Sequence, residues 1–210
     1  MEVAHATFFG DRGIRQGRSA FHAGECGTVA GMVRTSSRNT LAPRLQGLAP
    51  VWGPHARLLI LGSFPSVASL AAQQYYAHPR NQFWPLLSAI WGLTGEQALS
   101  NLPYAQRLPV VQAHGVAIWD VYANCRREGS LDTAIEAAEL NDLAGLIAQT
   151  PSLHAIAHNG GESARHMKIT SALGLPVHKL PSSSPANATW SFERKLQAWR
   201  AVFSMAGVAS

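Results

Sequence analysis

Four short apolar runs, separated by segments with helical periodicity, constrain the fold of this chain most strongly. The runs cover residues 57–61, 116–119, 153–157 and 177–180. Each is too short for a typical helix, and each has the near-continuous apolar character of a strand buried on both faces. Because strands that alternate with helices form parallel sheets, the sequence predicts a single α/β domain, a three-layer sandwich around a mostly parallel four-stranded sheet.

The segments between these runs are predicted to be helical. The spacing of apolar side chains predicts helices at residues 82–91, after an N-cap at Asn141, at residues 163–173 before Gly174, and at residues 189–203. Residues 1–40 are different, because they are rich in Gly and Arg and lack hydrophobic periodicity. We therefore expect residues 1–40 to be a disordered extension, with the domain over residues 41–205.

Composition excludes several classes of protein. No apolar run approaches the ~18 residues of a membrane span, so we expect a soluble, cytoplasmic protein without membrane contact. The net charge of +5, with only 14% charged residues, is compatible with a polyanionic partner but does not require one. The two cysteines, Cys26 and Cys125, form no C-x-x-C pair, which argues against a zinc or iron–sulfur site built on cysteine. We expect neither a metal nor a cofactor.

Two loops of unusual composition follow the first and the last apolar run. Residues 62–66 read Gly-Ser-Phe-Pro-Ser, and residues 181–187 read Pro-Ser-Ser-Ser-Pro-Ala-Asn. Ligands of open α/β sheets bind at the carboxyl ends of the strands, so both loops should border one site. Small residues let backbone N–H groups approach a phosphate closely, and this favours a nucleotide ligand.

Polar and aromatic residues near these loops are candidates for the same site. Residues 75–84 read Tyr-Tyr-Ala-His-Pro-Arg-Asn-Gln-Phe-Trp, which supplies aromatic rings and an amide for an extruded base. Asp120 closes the second run, and Asn159 follows the third. Plainer interpretations exist: core packing for the tyrosines, a helix cap for Asn81, a cap or surface acid for Asp120, and a turn for Asn159. The basic residues at positions 126, 127, 165 and 168 are expected on a solvated face.

Several common sites are missing. The loop at residues 62–66 lacks the Lys of a phosphate-binding P-loop, and the chain has no Gly-x-Gly-x-x-Gly, which disfavours ATP and dinucleotides. There is no Gly-x-Ser-x-Gly elbow either, so an acyl-enzyme mechanism on Ser63 or Ser66 is disfavoured.

Together these segments resemble the uracil-DNA glycosylase superfamily, from about Leu41 to Phe203. Residues 62–66 stand where mismatch-specific and thymine-DNA glycosylases carry Gly-x-Asn-Pro-Gly. Residues 76–84 are similar to their stretch that runs into Gly-Asn-x-Phe-Trp, and residues 180–184 resemble the Met-Pro-Ser-Ser-Ser of the thymine enzymes. The combination is similar to the branch of hypoxanthine-DNA, or deoxyinosine, glycosylases.

The resemblance implies a monofunctional, monomeric DNA glycosylase of base-excision repair that acts on double-stranded DNA containing a deaminated base, foremost hypoxanthine. Phe64 replaces the usual catalytic Asn or Asp of the first motif, and in this branch the role is thought to pass to the residue that is Asn81 here. The further implied site residues are Ser63, Phe64, Tyr76 and Asp120 for the base, and Ser182, Ser183 and Ser184 for the DNA backbone.

Two alternatives remain open at this point. A uracil- or mismatch-specific glycosylase would share the fold and differ only in its choice of base. A lesion-binding module without catalysis is compatible with the loss of the first-motif amide. Ala186 stands near the intercalating Arg of the thymine enzymes, so the sequence identifies no residue that would fill the gap left by an extruded base.

Overall fold

The computed structural model describes residues 42–209, so the predicted extension at residues 1–40 lies outside the described residues. In chain order the elements are β1 (Arg44–Gln46), β2 (Leu58–Gly62), α1 (Val67–Ala72), α2 (Phe83–Ile90), α3 (Tyr104–Ala113), β3 (Val116–Asp120), β4 (Tyr122–Arg126), β5 (Glu136–Leu140), α4 (Leu143–Ala148), β6 (Ala155–Asn159), α5 (Gly161–Ala164), α6 (Met167–Ser171), β7 (Val177–Leu180) and α7 (Phe192–Met205). Short 3-10 turns lie at Gly95–Gln97, Leu99–Asn101 and Asp132–Ala134.

The central sheet confirms the predicted architecture. Its four strands have the order β3–β2–β6–β7, and every neighbouring pair is parallel. Gly62 lies opposite Asp120, and Asn159 lies opposite Leu180, so the strands end at the same level. The loops that follow these strands are therefore brought to one edge of the sheet.

Both faces of the sheet are covered by apolar layers. Leu58 and Ile60 of β2 belong to a cluster with residues of α2, α3 and α7. Leu59 and Leu61 face the other way, into a cluster with residues of β4 and α4. This alternation follows from the period of two along a strand, and it explains why the run is apolar at every position.

A second sheet was not predicted. Strands β1, β4 and β5 form a small antiparallel sheet in the order β1–β4–β5. Cys125 of β4 is fully buried beneath it, whereas most of β5 is exposed. Strand β5 reads Glu-Ala-Ala-Glu-Leu, a composition typical of a helix, and here pairing with β4 overrides local propensity.

The segment that was predicted as one helix at residues 163–173 is broken into α5 and α6. His158, which is fully buried, joins both pieces: Ser163 Oγ lies 2.7 Å from its Nδ1, and Thr170 Oγ1 lies 2.9 Å from its Nε2. Burial lowers the pKa of His158 to about 4, so the ring is neutral and serves to hold these helices on the sheet.

The predicted N-cap of α4 is displaced by one residue. Asp142, not Asn141, accepts a hydrogen bond from the N–H of Gly145 and caps the helix. Asn141 instead donates from Nδ2 to the carbonyl oxygen of Asp120 at 2.9 Å, which fixes the end of β3. None of the helices within residues 42–209 is long and apolar enough to cross a membrane.

Candidate active site

A cavity of about 690 Å³ lies at the carboxyl edge of the central sheet. Its wall combines the loop after β2, the loop before α2, the ends of β3 and β6, and the loop after β7. All eight residues that the sequence singled out line it: Ser63, Phe64, Tyr76, Asn81, Asp120, Ser182, Ser183 and Ser184. Segments more than a hundred residues apart in the chain thus meet at one site.

A buried arginine packs against the loop after β2 and stabilises it. The guanidinium of Arg127 lies over the ring of Phe64, with Cζ 5.0 Å from the ring centroid, and donates a hydrogen bond to the carbonyl oxygen of Pro65. The expectation of a solvated position is wrong for Arg127, which is 4% exposed. The ring of Phe64 is itself largely buried, so the backbone of this loop forms much of the wall.

The two neighbouring tyrosines have different environments. Tyr75 is a core residue, and its hydroxyl donates to the backbone at Leu48 and Ala49. Tyr76 has a positive φ of 54°, a strained value for a bulky residue. Its ring stacks on Phe83 at a centroid distance of 3.8 Å. The strained backbone thereby presents this ring at the cavity, where it is held in place by Phe83.

Asn81 faces the cavity and precedes α2, whose N-cap is Gln82, so the predicted cap at Asn81 is displaced by one residue. Its Oδ1 accepts a hydrogen bond from the N–H of Phe83 at 2.9 Å, at the first turn of α2. A carbonyl oxygen has two lone pairs, so the same atom can accept a second hydrogen bond from a molecule in the cavity. The hydrogen bond to the start of α2 and a ligand-binding role of Asn81 are therefore compatible.

Asp120 lies in the wall of the cavity at the end of β3. Its side chain is 4% exposed, and Oδ2 is buried with no hydrogen-bond partner. Gly62 lies against Oδ1, and a Cβ at position 62 would collide with it, which explains the glycine there. Burial, reinforced by the charge of Asp132 and opposed by Arg127, raises the pKa of Asp120 to about 7.

The loop after β7 (residues 181–187), here named the serine loop, is hydrogen-bonded to the central sheet and to α7. Ser183 is fully buried, and its backbone N–H and side-chain Oγ both bond to Asn159. Its carbonyl oxygen accepts from the N–H of Gln82 at 2.9 Å. Trp199 Nε1 donates to the carbonyl oxygen of Pro181 at 3.0 Å, and Lys195 Nζ donates to Gln82 Oε1 at 2.8 Å.

Two residues of this site were not predicted as such from the sequence: Asn159 was given too little weight, and Asp132 was missed. Asn159 was given the alternative of a simple turn residue, but its Nδ2 bonds to both Tyr76 and Ser183. Its position after the third apolar run, equivalent to that of Asp120 after the second, was the available signal. Asp132 accepts from Ser63 Oγ at 2.6 Å and also lines the cavity. No local pattern marks Asp132, because a separate loop brings it to the first motif.

The described part of the chain offers no cluster of three or more His, Cys, Asp or Glu side chains for a metal ion. The cavity is lined by hydroxyls, amides, two carboxyls, aromatic rings, backbone and the side chain of Lys179, a set that suits an uncharged heterocycle joined to a sugar and an anionic phosphate.

A family model for the uracil DNA glycosylase superfamily matches residues 50–203. The chain belongs to this superfamily. Two curated relatives, from Methanosarcina acetivorans and Methanosarcina barkeri, are each named hypoxanthine DNA glycosylase. Each is 35% identical over 158 residues, which is 75% of this chain and 97% of the relative.

A solved structure agrees with this assignment to the superfamily. The solution NMR structure of a Methanosarcina acetivorans protein, described as a candidate uracil DNA glycosylase, superimposes with a TM-score of 0.70 at 34% identity. The match covers 79% of this chain and 99% of that one. The family match includes every strand of the central sheet and every predicted site residue.

Proposed function

We propose that this protein is a DNA glycosylase that hydrolyses the N-glycosidic bond of deoxyinosine in double-stranded DNA and releases hypoxanthine. The observation that carries the proposal is the convergence of the two motif loops, Tyr76, Asn81 and Asp120 on one cavity. The curated relatives named hypoxanthine DNA glycosylase support the choice of base.

The cavity suits one extruded nucleotide. Its volume of about 690 Å³ lies within the range of roughly 300–1,000 Å³ that is usual for small-ligand sites. Enzymes that act on a base within a duplex rotate the nucleotide out of the stack into such a pocket, and the unpaired or damaged base costs least to extrude. A deaminated base, which is mismatched with its original partner, fits this requirement.

In the proposed mechanism, Asn81 orients the attacking water. As the bond between C1′ and the base breaks, the sugar gains oxocarbenium character, and the bonding electrons leave with the base. The water adds to C1′ and releases a proton to solvent. An amide does not titrate in the relevant range, so Asn81 acts by positioning and electrostatics and not as a general base.

The base is held by Tyr76, the first loop and Asp120. One face of the Tyr76 ring is covered by Phe83, so the base would stack on the opposite face. Backbone N–H groups at Ser63 and Phe64 would donate to an oxygen of the base, and the Asp120 carboxyl would accept from a base N–H. Hypoxanthine N1–H and uracil N3–H both satisfy that acceptor, so Asp120 alone does not select between them.

The serine loop would hold the DNA backbone. Because the Ser183 side chain is buried against Asn159, we assign it to positioning the loop, and we assign the phosphate contacts to the partly exposed Ser182 and Ser184. We further propose that the enzyme acts as a monomer in the cytoplasm.

Single-turnover release of free base from otherwise identical duplexes tests the proposal, with one inosine, uracil, xanthine or thymine at the same position. We expect inosine to react fastest. Faster release of uracil would place the enzyme among uracil-specific glycosylases. Binding of the inosine duplex without release of any base would favour a lesion-binding module.

A further inference from the structure

The carboxyl group of Asp120 lacks the partners that a buried carboxylate normally has. Oδ2 is buried and receives no hydrogen bond, and the other oxygen lies against the backbone of Gly62. Ionised carboxyl groups are almost never fully buried unless they are paired, because losing hydration is costly. A neutral carboxylic acid avoids that cost.

The charged and titratable groups around Asp120 favour the same state. Asp132 faces it from the loop after β4 and adds a like charge. Tyr75 and Tyr76 interact with it electrostatically and are neutral, because burial raises the pKa of both hydroxyls. Arg127 is the opposing cation, but it donates its hydrogen bond to the carbonyl oxygen of Pro65, in the loop after β2. Within residues 42–209, no ion pair therefore compensates a charge on Asp120.

The chemistry proposed above disfavours a negative charge at this position. The departing base accumulates negative charge in the transition state, and a carboxylate beside it would repel that charge. A hydrogen-bond donor aimed at the developing anion would stabilise it instead.

We propose, on the basis of the proposed function, that Asp120 works as a neutral carboxylic acid that donates a hydrogen bond to the carbonyl oxygen of the departing base. Because Oδ2 is buried, the proton lies on Oδ1, and this oxygen donates to O6 of hypoxanthine. The acid keeps its proton. The C1′–N9 bond breaks with its electron pair on the base, water forms the new bond to C1′, and solvent protonates the released base.

The rate of base release should therefore fall once Asp120 ionises. We would measure single-turnover rates on a deoxyinosine duplex from pH 5.5 to 9.5. The wild-type rate should decrease by about tenfold per pH unit above a midpoint at or above pH 7. Asp120→Asn should lose this decrease, because its amide N–H can donate to O6 at every pH. Asp120→Leu should be slower by about 10²–10³ even at pH 6.

Two comparisons make the test specific. Ionisation of the base itself is common to all variants, so the difference between the wild-type and Asp120→Asn profiles reports on Asp120. Asp132→Asn should move the decrease to lower pH, because it removes the charge that helps to keep Asp120 protonated.

Identical profiles for wild type and Asp120→Asn, or a wild-type rate that rises through pH 9, would overturn this inference while hypoxanthine release still upheld the proposed function. Failure of the wild type to release hypoxanthine at any pH would overturn both.

Discussion

Asn159 and Ser183 exchange two hydrogen bonds, one in each direction. Asn159 Nδ2 donates to Ser183 Oγ, and the N–H of Ser183 donates to Asn159 Oδ1, both at 2.9 Å. A single side chain at the end of β6 thus fixes the middle of the serine loop. Because Nδ2 also lies 3.2 Å from the hydroxyl of Tyr76, the same amide links the loop to the proposed stacking ring.

Asn159→Leu should destabilise the protein by about 1–3 kcal/mol, because the buried N–H of Ser183 loses its acceptor. Urea unfolding measures this change. Asn101→Ala is the matched control, since it removes a single hydrogen bond from an exposed amide to Gly95 and should cost far less. An equal decrease in the free energy of unfolding in the two variants would show that the hydrogen bonds between β6 and the serine loop contribute no more to stability than an exposed one.

Asn81→Ala should lower single-turnover base release by about 10²–10³ while leaving DNA binding nearly intact. The variant also removes the hydrogen bond to the N–H of Phe83, at a cost of about 0.5–1.5 kcal/mol. Asn81→Ser separates the two effects, because serine can accept from the same N–H but is too short to hold the same water. Full activity in a folded Asn81→Ala protein would rule out the catalytic assignment.

The buried carboxyl of Asp120 should make stability depend on pH. Its pKa is raised to about 7, so between about pH 4 and pH 7 the native state holds a proton that the unfolded state has lost. Wild-type stability therefore contains a contribution that is present at pH 4 and disappears as pH rises to 7. Asp120→Asn should gain stability over wild type at pH 8, by on the order of 1–4 kcal/mol more than at pH 4.

Chemical denaturation of both proteins at these two pH values gives the comparison, and His158, which is common to both, cancels. A difference that does not vary with pH would mean that Asp120 is ionised with little cost in the native state.

The products should be free base and an intact abasic site, without a covalent enzyme–DNA adduct. Of the three described lysines, Lys195 is buried and donates to Gln82, Lys168 is exposed on α6, and Lys179 is an exposed residue at the cavity wall. None of them lies in residues 62–66 or 75–84. Treatment with borohydride during turnover should trap nothing. If an adduct did form, its loss in Lys179→Ala would identify the amine.

Removal of residues 1–40 should leave the melting temperature and the rate of base release almost unchanged. The segment has little periodic apolar content for a core, and the family match begins at residue 50. Thermal unfolding and the inosine assay on the shortened chain test this. A clear fall in either would mean that the segment contributes to the domain or to DNA binding.

The central sheet was predictable because its strands are buried on both faces and so carry an unbroken apolar signal. The residues at the strand ends followed from topology, which brings Gly62 and Asp120 together. By contrast, β5 could not be recognised, because its composition is that of a helix and its pairing with β4 is non-local. Arg127 also escaped prediction, since only the folded chain shows that its guanidinium covers Phe64.

The contacts of α7 determine when the cavity is completed during synthesis on the ribosome. Trp199 donates a hydrogen bond to Pro181, and Lys195 donates one to Gln82. The positions of the serine loop and of the N-terminus of α2 therefore both depend on α7. A nascent chain still inside the ribosome exit tunnel beyond residue 190 has its sheet strands but lacks these anchors. The cavity should therefore be completed only after α7 has left the tunnel, later in synthesis than the strands of the central sheet, and a nascent chain without α7 would lack a finished site.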